Sequence, residues 1–172
     1  KILRRVMKAF KKTGLILGGL SIAILWCSNA LATSVVSVGD EFPQLNVTSQ
    51  FDKAFSIDAT TKRVLFSASK PASNLVGDFL ETRTPDWLSQ ASTLYVADIH
   101  KMPRMITRMV ALPKMKKLSY DIFLGRTAGA LSQLPAQEGC VTIIDVAALK
   151  LANIRYACDA DSLNQILLNA SE

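Results

Sequence analysis

The chain of 172 residues holds a single histidine, His100, three cysteines that never fall as Cys-x-x-Cys, and no acidic residue before Asp40. Each shortage removes a class of chemistry. With one histidine and no Gly-x-Ser-x-Gly elbow, Ser67, Ser69 and Ser73 have no base placed to activate them, and they read as turn and cap residues. None of the eight glycines builds a phosphate-cradling loop after an expected strand, so a nucleotide or flavin site is unsupported and no cofactor is expected. No catalytic group emerges from this inventory, apart from the thiol considered below.

The missing early acids also decide what the net charge of +6 means. Lys1, Arg4, Arg5, Lys8, Lys11 and Lys12 carry all of that excess; from Thr33 onward fourteen basic residues balance fourteen acidic ones. A phosphate-neutralising surface for nucleic acid therefore loses its support. The six charges precede the apolar run Leu15–Trp26, then Cys27-Ser28-Asn29 and Ala30-Leu31-Ala32. A basic start, about a dozen apolar residues and an Ala-x-Ala end are the pattern of a secretory signal peptide, with cleavage expected after Ala32 and a periplasmic or secreted product. The run is short of the roughly 20 residues that a membrane span prefers, and bulky Trp26 before Cys27 argues against lipidation. Residues 1–32 are thus expected to be a leader and 33–172 a single domain.

That domain is organised around Arg63–Glu81. Val64-Leu65-Phe66 is a short apolar strand, Ser67-Ala68-Ser69-Lys70 breaks it, and Pro71 stands where a first helical residue would. Leu75, Val76, Phe79 and Leu80 then recur on one helical face. Earlier, Asn46–Ile57 reads as an edge strand or hairpin. Later, Thr84-Pro85 opens a second helix, Thr93–Ile99 is a buried strand, and Pro103 opens a helix that runs to about Leu112 and is ended by Pro113. Met105, Ile106, Met109 and Val110 share one face of it, which a core is expected to cover. Tyr120–Leu124 is a further strand, Gly125–Gly139 a loop, Cys140–Val146 and Leu151–Ala157 a hairpin joined by Ala147–Lys150, and a last helix follows an Asp159 or Asp161 cap. Strands alternating with helices, closed by a hairpin, imply a mixed sheet in a three-layer α/β/α sandwich.

Three segments resemble the thioredoxin-like superfamily, in its TlpA- and peroxiredoxin-type branch: Val38-Gly39-Asp40-Glu41-Phe42-Pro43 at the opening, Val64–Ser69 entering the active-site turn, and Gly139–Asp145 as the late strand. The resemblance implies a thioredoxin-like fold and, in the family, a Cys-x-x-Cys at the turn whose first thiol attacks as a thiolate. Here that turn is Lys70-Pro71-Ala72-Ser73-Asn74, with Pro71 and Asn74 nearest the two cysteine positions. The family's cis-proline is likewise replaced by Gly139 or Cys140. The resemblance therefore implies a scaffold without the usual dithiol exchange, its vestigial turn left as a contact surface.

Three clusters invite chemistry. A hairpin centred on Leu149 pairs residues whose numbers sum to 298, setting 142 against 156, 144 against 154, 145 against 153 and 146 against 152. It also opposes Cys140 and Cys158, within reach of a disulfide, which suits an oxidising compartment. The enzymatic alternative is a thiol oxidoreductase or peroxidase-like protein using Cys140 with Cys158. His100 with Met102, Met105, Met109 and Met115 offers soft copper ligands, but the helix positions favour packing and no metal is expected. Lys101, Arg104, Arg108, Lys114, Lys116 and Lys117 form a basic patch with no acid between His100 and Tyr120. Such a patch is a solvated face, or a surface for an acidic envelope partner or anionic lipid headgroups. The expectation is a redox-inactive binding or assembly module of the cell envelope.

Overall fold

A computed structural model describes residues 34–168; the expected leader, with Cys27, lies outside the described residues. Among the described residues six strands form one mixed sheet in the order β1-β4-β3-β2-β5-β6. They are β1 Thr48–Ser49, β2 Arg63–Ser67, β3 Thr93–Asp98, β4 Phe123–Gly125, β5 Val141–Ala147 and β6 Lys150–Ala157. The helices are α1 Lys70–Glu81, α2 Trp87–Gln90, α3 Arg104–Ile106, α4 Leu112–Met115 and α5 Ala160–Leu168, with a π turn at Thr107–Ala111 between α3 and α4.

The parallel pairs β2·β3 and β3·β4 step in one direction across the sheet. Two successive right-handed crossovers in the same direction place their helices on the same face. Accordingly α1, α5 and the ends of the α3–α4 segment all pack on the cluster that contains Leu65, Val76, Phe79, Tyr95, Ile143 and Leu163. Strand alternation sends Val64, Phe66, Val96, Ile144 and Val146 to the other face, where Phe42, Leu45, Val47, Leu131 and Leu134 cover them. The second outer layer is thus built by the entering chain and the β4–β5 loop instead of a helix. The entering chain also touches the sheet's margin: Gly39 N–H donates to Leu151 O, Leu151 N–H to Asp40 O, and Phe42 N–H to Leu149 O.

Several local expectations are corrected. Thr84-Pro85 forms a turn closed by Trp87 N–H to Thr84 O, and the helix behind it starts only at Trp87, its first bond running from Gln90 N–H to Asp86 O. Pro113 does not end its helix. It sits in the first turn of α4, directly after the π turn, which loosens the backbone where the ring would otherwise meet the carbonyl one turn earlier. In the hairpin, Thr142↔Tyr156, Ile144↔Ile154 and Asp145↔Asn153 pair as expected, but Val146 faces Leu151 instead of Ala152. The cause is the turn. Ala148 and Leu149 both adopt positive φ, 49° and 63°, closing a two-residue loop, and the odd residue is absorbed as a bulge after Asp145.

The largest correction concerns the apolar face of the α3–α4 segment. Met105 and Met109 are 72% and 71% exposed, and Ile106 and Val110 are exposed as well. The segment touches the core only through its flanks, by Met102, Leu112, Met115 and Leu118, which fill the available margin and leave the middle facing outward.

Candidate functional site

The turn between β2 and α1 is closed by hydroxyls. Ser69, extended at φ −144°, caps α1 by accepting from Ala72 N–H, and Pro71 occupies the first turn, where a missing N–H costs nothing. Ser73 donates to Ser69 O at 3.1 Å and meets Ser67 Oγ at 3.0 Å; Ser67 Oγ in turn lies 3.1 Å from Tyr95 Oη. A chain of hydroxyls therefore runs from the buried Tyr95 to the first turn of α1. Burial pushes the Tyr95 phenol above its ordinary value, against the pull of Ser67 and Ser73. These groups hold the turn in shape, and no thiol is among them.

A groove of about 710 Å³ opens beside this turn. Lys70, Ser73 and Asn74 form one side, the end of β3 with Asp98 and His100 the floor, and Ile106, Val110 and Lys114 the far side. Asp98 Oδ1 accepts from His100 N–H at 3.0 Å and lies 2.7 Å from His100 Nδ1, fixing the imidazole orientation. Of the turn residues named from sequence, Pro71, Ala72 and Gly139 do not line the groove; Ala72 lies on the buried side of α1. Of the basic patch, Lys101 and Lys114 reach this groove, while Arg104, Arg108 and Lys116 line a neighbouring pocket of about 680 Å³ together with Arg126. Lys117 lines neither. Below, burial pushes the Tyr120 phenol up to about 12, with Tyr95 and Glu81 adding to it.

Cys140 and Cys158 are joined in a disulfide. Cys140 is buried and Cys158 exposed. Ser67 pairs with Val141, so continuing the register sets Cys140 level with Ala68, just beside the turn into α1. All described peptide bonds are trans, including those before β5.

Sequence reasoning missed Gln50. Its side chain is fully buried, donates to Tyr120 O at 2.7 Å and accepts from Ile122 N–H at 2.7 Å, pinning the chain that follows α4. It also missed the clamp on Asp145, which takes Arg63 Nε at 2.9 Å and Arg155 Nη2 at 2.6 Å across three strands. The only sequence signal for the latter was Asp145 inside an apolar strand, a position that calls for a partner.

No protein-family model matches the chain, and no curated protein matches it in sequence. Solved structures do. The solution structure of a candidate protein disulfide isomerase from Bacteroides thetaiotaomicron is similar with TM-score 0.55 and 15% identity, over 80% of this chain and 90% of that one. A thio-disulfide isomerase from Thermus thermophilus reaches TM-score 0.48 at 15% identity, over 79% of this chain and 98% of that one. A peroxiredoxin-like protein from Aquifex aeolicus reaches 0.44 at 12%, over 78% and 88%. With the strand order and the hairpin described above, the first of these likenesses makes the fold thioredoxin-like.

Proposed function

We propose that this chain is a thioredoxin-fold protein that works by non-covalent binding instead of thiol exchange, exported to the cell envelope and using the groove beside α1 as its contact site. One observation carries the reading. Where the family's turn presents two cysteines, this turn presents Pro71 and Asn74 over a closed network of serine hydroxyls. Thiol chemistry needs a thiolate at the helix N-terminus, and neither residue can supply one. What remains there is a recess lined by apolar side chains such as Ile99, Met102, Ile106 and Val110, with Lys70, Lys101 and Lys114 among them, suited to a protein segment that carries acidic and apolar side chains. Export is supported by the leader pattern and by the joining of Cys140 to Cys158, a pairing at home in an oxidising compartment.

The rival is an oxidoreductase that cycles the Cys140–Cys158 bridge, whose place beside Ala68 keeps it near the turn. Insulin-reduction and peroxide-consumption assays separate the two. The binding reading expects no turnover from the wild-type chain; turnover that disappears in Cys140→Ser would replace it with the enzyme. A photo-crosslinker at Asn74 is expected to capture an envelope protein in cells, and the same group at exposed Asn153 is not.

A further inference from the structure

The middle of the α3–α4 segment carries two rows of side chains that the domain leaves uncovered. Met105 and Met109 are four residues apart on a helical surface, as are Arg104 and Arg108 beside them, and all four line one shallow depression of about 450 Å³. Ile106 and Val110 extend the apolar row, Lys116 joins the two arginines around a neighbouring pocket, and Lys101 and Lys114 stand with Ile106 and Val110 in the groove along α1. An amphipathic helix ordinarily turns such a row inward. Here it points to solvent, on a segment that holds six of the fourteen cations found after Thr33, with no acid between His100 and Tyr120. Arg104, Arg108 and Lys116 also line the neighbouring pocket with Arg126, whose guanidinium is held by Asp52 and Ser49 O.

We propose that this face docks on the anionic surface of a lipid bilayer, with Met105, Ile106, Met109 and Val110 entering the headgroup–acyl boundary and Arg104, Arg108 and Lys116 taking lipid phosphates. Charge complementarity selects this occupant. A second copy would bring six like charges against six. A lipid surface offers phosphates at any spacing and a soft apolar layer that receives protruding side chains without needing a matching pocket, the setting in which basic amphipathic helices bind. Long basic side chains can lie along the apolar row and keep their heads among the phosphates. This face shares Ile106 and Val110 with the groove beside α1, so its test is read at Met105 and Met109, which do not line that groove.

Methionine oxidation reads the contact locally, whatever the leader does. The full chain is exposed to dilute peroxide in buffer, with phosphatidylglycerol vesicles or with phosphatidylcholine vesicles, and Met105 and Met109 are followed by peptide mass spectrometry against the partly covered Met102 and Met115. Both exposed methionines are expected to be shielded on phosphatidylglycerol and not on phosphatidylcholine. The shielding is expected to disappear in about 0.5 M salt, where the screening length falls to a few ångströms. In Arg104→Glu with Arg108→Glu, vesicle affinity read from this shielding should fall at least about thirtyfold, as two cations worth about 1 kcal/mol each at an anionic surface would dictate. An unchanged melting temperature in that variant excludes misfolding, and slowed amide exchange over 104–115 on phosphatidylglycerol is the second readout. Equal oxidation in buffer and on phosphatidylglycerol, equal shielding by both lipids, or equal shielding by soluble polyglutamate or glycerol phosphate would each overturn the proposal.

Discussion

Two helical segments cross the same face of the sheet and carry the same apolar spacing, yet α1 buries its stripe and the α3–α4 segment displays its own. In α1 the stripe is Val76, Phe79 and Leu80, all buried, with Phe79 edge-on to Trp87 at 5.0 Å and under the Arg83 guanidinium at 4.6 Å. In the other segment only the flanks touch the core. Periodicity shows that a helix has an apolar side. What covers that side is decided by neighbours, and here α1 packs against α5, β2 and β5 while the middle of the α3–α4 segment, which joins β3 to β4, has no described element packed on it.

The comparison can be broken by truncation. Phe79→Ala should destabilise by about 3–5 kcal/mol in denaturant unfolding, and Met109→Ala by no more than about 0.5 kcal/mol. Equal losses would mean that the exposed segment belongs to the core after all. Next in size, removing the hairpin bridge with Cys140→Ala and Cys158→Ala should cost roughly 3 kcal/mol, with the groove unaltered; a binding partner captured at Asn74 should still be captured. Gln50→Ala should cost about 1–3 kcal/mol by leaving Tyr120 O and Ile122 N–H without partners, and should loosen the chain after α4 in hydrogen exchange while leaving α1 protected.

The smallest expected effect concerns pH. Tyr95 and Tyr120 both have folded-state values raised by burial, so the folded protein keeps protons that the unfolded chain releases near pH 10. Their contribution is complete below pH 10 and is lost at higher pH, that of Tyr120 as pH rises toward about 12. Melting temperature should therefore fall across that alkaline window, and Tyr120→Phe should make the fall shallower.

The sequence spoke clearly where an element's neighbours were implied by its own pattern. Val64, Leu65 and Phe66 announced a strand, which the fold buries on both faces, and Ser69 with Pro71 announced the start of α1. The hairpin register foretold the partner of Cys140 because a period of two leaves few alternatives. It failed at Ala152, since the turn conformation at Ala148 and Leu149 that forces a bulge has no glycine or asparagine to signal it. The groove was only half legible. Lys70, Ser73 and Asn74 could be named from the resemblance, but Ile106 and Val110 reach the same recess only through the tertiary crossover, and their spacing pointed to the core instead. Gln50 lay in a polar stretch with nothing local to mark it as buried.

One detail of the entering chain bears on solubility. A sheet that ends in an eight-residue strand offers a template on which another molecule's backbone could pair, and β6 is such a strand. Gly39–Phe42 already occupies the hydrogen-bonding groups of Leu149 and Leu151 at one end of it, and Arg155, held by Asp145, places charge farther along. Shortening the chain past Phe42 would uncover that margin and strip Phe42 from the layer over the sheet, and the outcome would be intermolecular strand addition and fibre-like aggregation.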